Sequence, residues 1–252
     1  MKTLGLIGKT LTHSFSKSYF EEKFKQENLA QAYRYLNFEL EEISKFTQLV
    51  RDLQNPLGFN VTIPYKQAII PYLDDLDNTA KSIQAVNTIK IVDGKKLTGY
   101  NTDVIGFRES LLSWLPDTKI KALVLGSGGA SQAVQFALSE VSIDHLVVSR
   151  TAVEKQGHIT YTDLQNNPTL LQQHRLLINT TPLGTFPNTN ECPALPYQQL
   201  TENHYLYDLV YNPSETLFMQ KGTQQGAFVK NGYQMLVLQA EAAWRIWQEP
   251  LN

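Results

Sequence analysis

Lys66 and Asp103 are titratable residues whose places in the chain could serve chemistry. Lys66 closes the segment Asn60-Val61-Thr62-Ile63-Pro64-Tyr65-Lys66. Val61 ends an apolar strand pattern, and Pro64 suits the first position of a helix. Lys66 then falls in the first helical turn, where the macrodipole disfavours a cation. A lysine there is either solvated on the surface or held for a purpose. Asp103 follows Asn101 and Thr102, ahead of a helical pattern carrying Phe107 and Leu111. Capping of that helix by Thr102 or Asp103 would explain the segment without any chemistry. Ser14 and Ser16 stand two apart, so in an extended segment both hydroxyls face one way. Ser18 and Glu21 have capping-box spacing, which starts a helix at Ser18 and leaves the two earlier serines without a structural duty. Loop solvation is the stronger reading of that pair taken alone. Gln239 lies on an apolar helical pattern, where a buried amide must find partners in backbone or in a polyhydroxylated ligand.

A second chemistry is written further along. The run Gly126-Ser127-Gly128-Gly129-Ala130-Ser131 follows the apolar stretch 122–125 and precedes a helix carrying Val134, Phe136 and Leu138. It departs from G-x-G-x-x-G at Ser131, but the physics is kept. Gly126 permits a tight turn, Gly128 lets backbone approach a pyrophosphate, and a small third residue allows close helix packing. Phosphates would sit on the helix N-terminus. At the end of the next strand stand Ser149-Arg150-Thr151 rather than an acidic residue. An arginine with hydroxyl neighbours suits a 2′-phosphate, so the pattern points to NADP; a solvated loop arginine is the plain alternative.

The elements that must position these residues alternate between strand and helix. Strand patterns lie at 4–8, 33–38, 57–61, 122–125, 145–149, 176–178 and 205–210, with a hairpin over 86–100 turning at Asp93-Gly94. Helical spacing links Phe20 with Phe24, the apolar residues of 40–53, Phe107 with Leu111 and Leu115, and residues 232–247. Continuous apolar strands alternating with helices predict an α/β protein with a parallel sheet.

Composition narrows the function classes. The chain has 252 residues, 42% of them hydrophobic and 18% charged, which is enough for one large or two ordinary globular domains. A net charge of -2, from 22 basic and 24 acidic side chains without like-charge blocks, offers no nucleic-acid face and no polybasic membrane face. Cys192 is the single cysteine, which excludes an intrachain disulfide and a cysteine metal cluster. The first apolar run is too short for a signal peptide, and no stretch approaches 18 apolar residues. These features predict a soluble, cytoplasmic protein with no metal.

Taken together, the segments resemble the shikimate dehydrogenase family along nearly the whole chain. The matching motifs are His13-Ser14-Phe15-Ser16, Asn60-Val61-Thr62-x-Pro64-x-Lys66, Ala85-Val86-Asn87-Thr88, Asn101-Thr102-Asp103 and Gly126-Ser127-Gly128-Gly129-Ala130. They continue with Ser149-Arg150-Thr151, Asn179-Thr180-Thr181-Pro182-Leu183-Gly184, Asp208-Leu209-Val210-Tyr211-Asn212-Pro213 and Gln239-Ala240. Nine motifs in order are specific where each alone is weak. Three positions depart from the pattern: Lys17 for proline, Val104 for glycine, and Glu154 where a second basic residue often meets the 2′-phosphate.

The resemblance implies two α/β domains. Residues 1–103, completed by a C-terminal helix over 232–252, would bind substrate, and residues 104–231 would form a Rossmann-type parallel-sheet domain for NADP. It implies reduction of 3-dehydroshikimate to shikimate, with Lys66 and Asp103 catalytic. Ser14 and Ser16 would bind the substrate carboxylate with Tyr211 nearby, and Thr62, Asn87, Asp103 and Gln239 would surround the ring hydroxyls. Gly126, Ser127, Gly128, Gly129 and Ala130 would hold the pyrophosphate, and Ser149, Arg150 and Thr151 the 2′-phosphate. Leu209 and Gly232 would flank the nicotinamide. The expected partners are small molecules, and the chain is expected to be a monomer or homodimer. The alternatives are a quinate-acting relative using NAD, and a non-catalytic dinucleotide sensor on the same fold.

Overall fold

A computed structural model describes residues 1–11, 15–92 and 94–249. The chain divides into two compact units, 1–105 with 237–252 and 106–236. The first unit runs through β1 (Lys2–Gly8), α1 (Phe15–Gln26), β2 (Tyr33–Glu39), α2 (Phe46–Asp52), β3 (Pro56–Val61) and α3 (Tyr65–Ala68). It continues with β4 (Asp75–Leu76), α4 (Asn78–Ile83), β5 (Thr88–Val92), β6 (Lys96–Tyr100) and the start of α5 (Thr102–Leu112). The second holds β7 (Ala122–Leu125), α6 (Gly129–Glu140), β8 (His145–Ser149), β9 (His158–Thr160), α7 (Tyr161–Asn166) and α8 (Thr169–Gln173). Then come β10 (Leu176–Asn179), β11 (Tyr205–Asp208), α9 (Leu217–Thr223), β12 (Phe228–Lys230) and α10 (Tyr233–Gln248), whose later turns return to the first unit.

The first sheet has the order β2-β1-β3-β5-β6-β4. β1 is parallel to β2 and β3, while β5 runs antiparallel to β3 and β6, so the sheet is mixed. Alternation along β1 sends Leu4 and Leu6 to one face and Ile7 to the other. Leu4 and Leu6 pack with Phe20, Phe24, Tyr35 and Trp247. Ile7 packs with Phe46, Phe59, Val61, Ile69 and Ile89. Burial on both faces is what makes β1 a continuous apolar run.

The second sheet is wholly parallel, in the order β12-β11-β10-β7-β8-β9. Its connectivity reverses between β7 and β10, a doubly wound arrangement that leaves a crevice at the carboxyl ends of those strands. Leu123, Leu125, Leu177, Leu206, Phe218 and Leu164 lie in its core. Their burial offsets the entropy of ordering strands that carry almost no polar side chains.

Three helix starts differ from the sequence expectations. α1 begins at Phe15, not at Ser18, so Ser16 is helical rather than extended and Ser18 sits inside the first turns. Burial of Phe20 and Phe24 sets the helix face, and the capping-box spacing at Ser18 goes unused. Pro64 is the N-cap of α3, not its first residue. Neither Thr102 nor Asp103 caps α5: Asn101 Oδ1 accepts from the backbone N–H of Asp103 (3.1 Å) and Val104 (3.4 Å). Thr102 N–H goes instead to Asn87 Oδ1 at 2.7 Å, a partner 15 residues away that helix-start patterns cannot register. The final strand of the expected 205–210 pattern stops at Asp208.

Candidate active site

In the first unit, β3, the segment before β5, and the N-terminus of α5 converge on one polar cluster. Lys66, in the short helix α3, donates through Nζ to Asp103 Oδ2 at 2.6 Å. The pair is accessible rather than sealed, with side chains 30% and 18% exposed. Asp103 stands in the first turn of α5, where the helix N-terminus favours a carboxylate. Its other oxygen accepts from Asn87 Nδ2 at 2.9 Å. Buried Asn87 is itself fixed, because its Oδ1 accepts from Thr102 N (2.7 Å), Thr102 Oγ1 (3.1 Å) and Thr88 Oγ1 (3.1 Å). Gln239 on α10 brings its Oε1 to 3.4 Å from Thr102 Oγ1 and 3.5 Å from Asn87 Nδ2. Val86 N–H donates to Lys66 O (2.7 Å), which pins α3 to the segment carrying Asn87, just ahead of β5. Thr62 follows β3, half-buried, with its N–H on Ile7 O at 2.9 Å. The structure thus gathers Lys66, Asp103, Asn87 and Gln239 into one hydrogen-bonded group.

That group extends inward. Tyr35 OH donates to Asn60 Oδ1 (2.7 Å), and Asn60 Nδ2 donates to Thr88 Oγ1 (3.1 Å) and Asn87 O (3.3 Å). Burial pushes the Tyr35 phenol far up, opposed by a hydrogen bond with Ser16. Ser16 therefore connects to the same network through Tyr35. Tyr35 and Asn60 had no site role in the sequence reading; only the placement of Asn60 opposite Thr88 across β3 and β5 reveals them. Ser14 lies outside the described residues.

The second unit carries a cavity of about 450 Å³ lined by Gly126, Ser127, Gly128, Ser149, Arg150, Tyr161, Thr180, Thr181, Pro182 and Leu183. Gly126 has φ +108°, and a Cβ there would lie 2.9 Å from Thr180 Oγ1 and Thr181 Cγ2, so only glycine fits the turn. Gly128 caps α6 with open space beside it, as at Gly129, which starts that helix with Ala130. Bare backbone N–H groups at a helix start beside an exposed guanidinium fit a phosphate-bearing dinucleotide. Ser149 is buried and donates to Thr151 O at 2.6 Å, so its hydroxyl also shapes the loop that presents Arg150. Burial raises the Tyr161 phenol to about 12, with the Arg150 charge pulling it down. Thr180, Thr181, Pro182, Leu183 and Tyr161 were given no role from sequence; for the first four the signal was their position after β10, at the reversal of strand order, while Tyr161 opens α7 after β9.

Leu209 and Gly232 meet in this unit. A Cβ on Gly232 would collide with the Leu209 carbonyl oxygen, and Gly232 N–H donates to Val210 O at 3.2 Å. Tyr211, expected with the substrate group, lies in the second unit just past β11 and is 37% exposed. Among the described residues no cluster of three or more His, Cys, Asp or Glu could hold a metal ion. No helix among them is long and apolar enough to cross a membrane.

Comparison with known proteins adds independent findings. A family model described as the shikimate dehydrogenase substrate binding domain matches residues 6–89. The chain is 38% identical, over 263 residues, to the shikimate dehydrogenase (NADP(+)) of Methanococcus maripaludis strain C7, covering 98% of this chain and 91% of that protein. The crystal structure of shikimate dehydrogenase 1 from Peptoclostridium difficile is similar at TM-score 0.83 and 35% identity, covering 100% of this chain and 94% of that one. That of shikimate 5-dehydrogenase from Thermus thermophilus in complex with NADP(H) and shikimate gives 0.81 and 30%, covering 100% and 95%.

Proposed function

Because the chain belongs to the shikimate dehydrogenase family, an NADP-dependent oxidoreductase that reduces 3-dehydroshikimate to shikimate, we propose how its residues divide that work. Bound NADPH supplies the hydride. Lys66 and Asp103 handle the proton: Lys66 delivers it to the substrate oxygen as the ketone becomes an alcohol, and takes it back in the reverse direction. Asp103 holds the ammonium in place, and Asn87 holds Asp103. The observation that carries this reading is the Lys66–Asp103 contact at 2.6 Å, locked from behind by Asn87.

Thr62, Asn87, Asp103 and Gln239 bind the ring hydroxyls, and Ser14 and Ser16 the carboxylate, with Tyr211 near it. Gly126 to Ala130 take the pyrophosphate, and Ser149, Arg150 and Thr151 the 2′-phosphate. Leu209 and Gly232 flank the nicotinamide. Residues 1–103 with 232–252 form the substrate domain in this reading, and 104–231 the NADP domain. The enzyme works in the cytoplasm as a monomer or homodimer. An NAD-dependent quinate enzyme and a non-catalytic sensor are not favoured; a sensor would need neither Lys66 nor Asp103.

The test is steady-state oxidation of shikimate with NADP and NAD in parallel. A guanidinium–phosphate contact contributes about 1.5–3 kcal/mol net, so kcat/KM should favour NADP by roughly tenfold to a hundredfold. Glu154, near Arg150 in sequence, pulls toward the low end. Equal or better kcat/KM with NAD would overturn the assignment of Arg150.

A further inference from the structure

Asp208 ends β11 and is fully buried. Its carboxylate faces three donors: Asn179 Nδ2 (2.9 Å) and Val210 N (3.0 Å) on Oδ1, and Thr216 Oγ1 (2.6 Å) on Oδ2. Among the described residues no cation forms an ion pair with it. A buried carboxylate without a cation is costly, and its hydrogen bonds are all that offset the cost. The donors come from three places: the end of β10, the loop after β11, and the N-cap of α9.

Asn179 passes the contact onward. Its Oδ1 accepts from Thr181 N (3.0 Å) and Thr181 Oγ1 (2.7 Å). Thr181 lines the cavity of the glycine turn and packs against Gly126. Asp208 itself does not line that cavity, yet one amide separates it from the wall.

We propose that Asp208 is a positioning residue for the coenzyme: through Asn179 it fixes Thr181 and the 180–183 wall of the dinucleotide cavity. This rests on the reading of that cavity as the NADP site. The chemistry is directional. An ionised carboxylate only accepts, so the Asn179 amide must present Nδ2 to it and Oδ1 to Thr181. A protonated Asp208 could give its O–H on Oδ2 to the Thr216 hydroxyl, leaving Oδ1 a neutral carbonyl facing Asn179 Nδ2. A neutral acceptor holds that N–H less strongly than a carboxylate does. The grip on one amide therefore follows the charge of Asp208. Burial pushes Asp208 up to about 6, with hydrogen bonds from Thr216, Val210 and Asn179 pulling it down. Burial pushes the nearby Tyr197 phenol up, and the Asp208 charge adds to that shift.

The test measures dissociation constants of NADP, NAD and shikimate for the full chain between pH 5 and 8, in wild type, Asp208→Asn and Thr181→Val. The NAD arm is needed because a 2′-phosphate titrates near pH ~6 by itself. For wild type, NAD binding should weaken about tenfold as pH falls from 7.5 to 5. Asp208→Asn should bind both coenzymes about tenfold more weakly at pH 7.5, with a flat NAD profile and unchanged shikimate affinity. Thr181→Val leaves the buried carboxylate intact and should weaken both coenzymes about threefold, which keeps the test decisive if Asp208→Asn does not fold. Wild-type coenzyme affinities and pH profiles in either folded variant would overturn the inference alone. Failure of the wild-type protein to bind NADP would instead overturn the reading of the cavity.

Discussion

Asn87 bonds through both ends of its amide, to Asp103 on one side and to Thr102 and Thr88 on the other. One amide holds the carboxylate of Asp103 and accepts from the first N–H of α5. Asn87→Ala strands Thr102 N in a buried position, which costs about 1–3 kcal/mol. It also releases Asp103, so kcat should fall roughly tenfold while NADP affinity holds. Denaturant unfolding and steady-state kinetics read the two effects separately, and a fully stable variant would show that the amide is dispensable. Asp208 gives a pH prediction. Its native value, about 6, lies above the ordinary 3.8, so the folded protein binds that proton more tightly than the unfolded chain. The contribution is most favourable below the unfolded value and is lost as pH rises through about 6. By pH 7 the ionised group costs roughly 3 kcal/mol. Wild type should therefore lose stability relative to Asp208→Asn between pH 4 and pH 7, as followed by denaturant midpoints. A difference that stays constant with pH would remove Asp208 as the titrating group. A buried charge kept at a cost in stability is consistent with a positioning duty.

Elements place these residues through contacts that local patterns only partly encode. The strands with long apolar runs, β1, β3, β7, β8, β10 and β11, were legible because burial on both faces leaves little room for polar side chains. The glycine turn was legible for a similar reason, since φ +108° at Gly126 restricts the residue type. Helix starts were harder. The cap of α5 is Asn101, and its first N–H is satisfied by Asn87 in the segment before β5, so spacing near Asp103 suggested the wrong cap. The short strands β4, β9 and β12 and the helices α4 and α7 to α9 carry too few residues for either period to register. The junction of β11 and α10 makes a testable case. Gly232→Ala would drive a Cβ into the Leu209 backbone oxygen, which cannot swing away as a side chain could. We expect a loss of about 1–3 kcal/mol and weaker NADP binding, measured by thermal unfolding and coenzyme titration. Wild-type values in both would show that the loop yields freely.

At the scale of the molecule, the alternation of strands and helices announced α/β units, and the nine ordered motifs announced the family. The mixed first sheet was only half legible. The hairpin of β5 and β6 was expected, but its antiparallel insertion beside β3 depends on pairing that sequence alone does not specify. That insertion matters, because it sets Asn60 opposite Thr88 and so builds the network behind Asp103. The account as a whole turns on whether Lys66 and Asp103 act as one proton-transfer device. The direct measurement is kcat for shikimate oxidation at saturating shikimate and NADP in Lys66→Ala, Asp103→Ala and the double variant. General acid–base catalysis contributes roughly 10²–10⁴-fold, so Lys66→Ala should lose about that much. Asp103→Ala should also be slow, and the double variant should lose much less than the two losses combined, with NADP binding retained throughout. Near-normal kcat for Lys66→Ala at neutral pH would contradict the mechanism, and full additivity in the double variant would contradict the coupling.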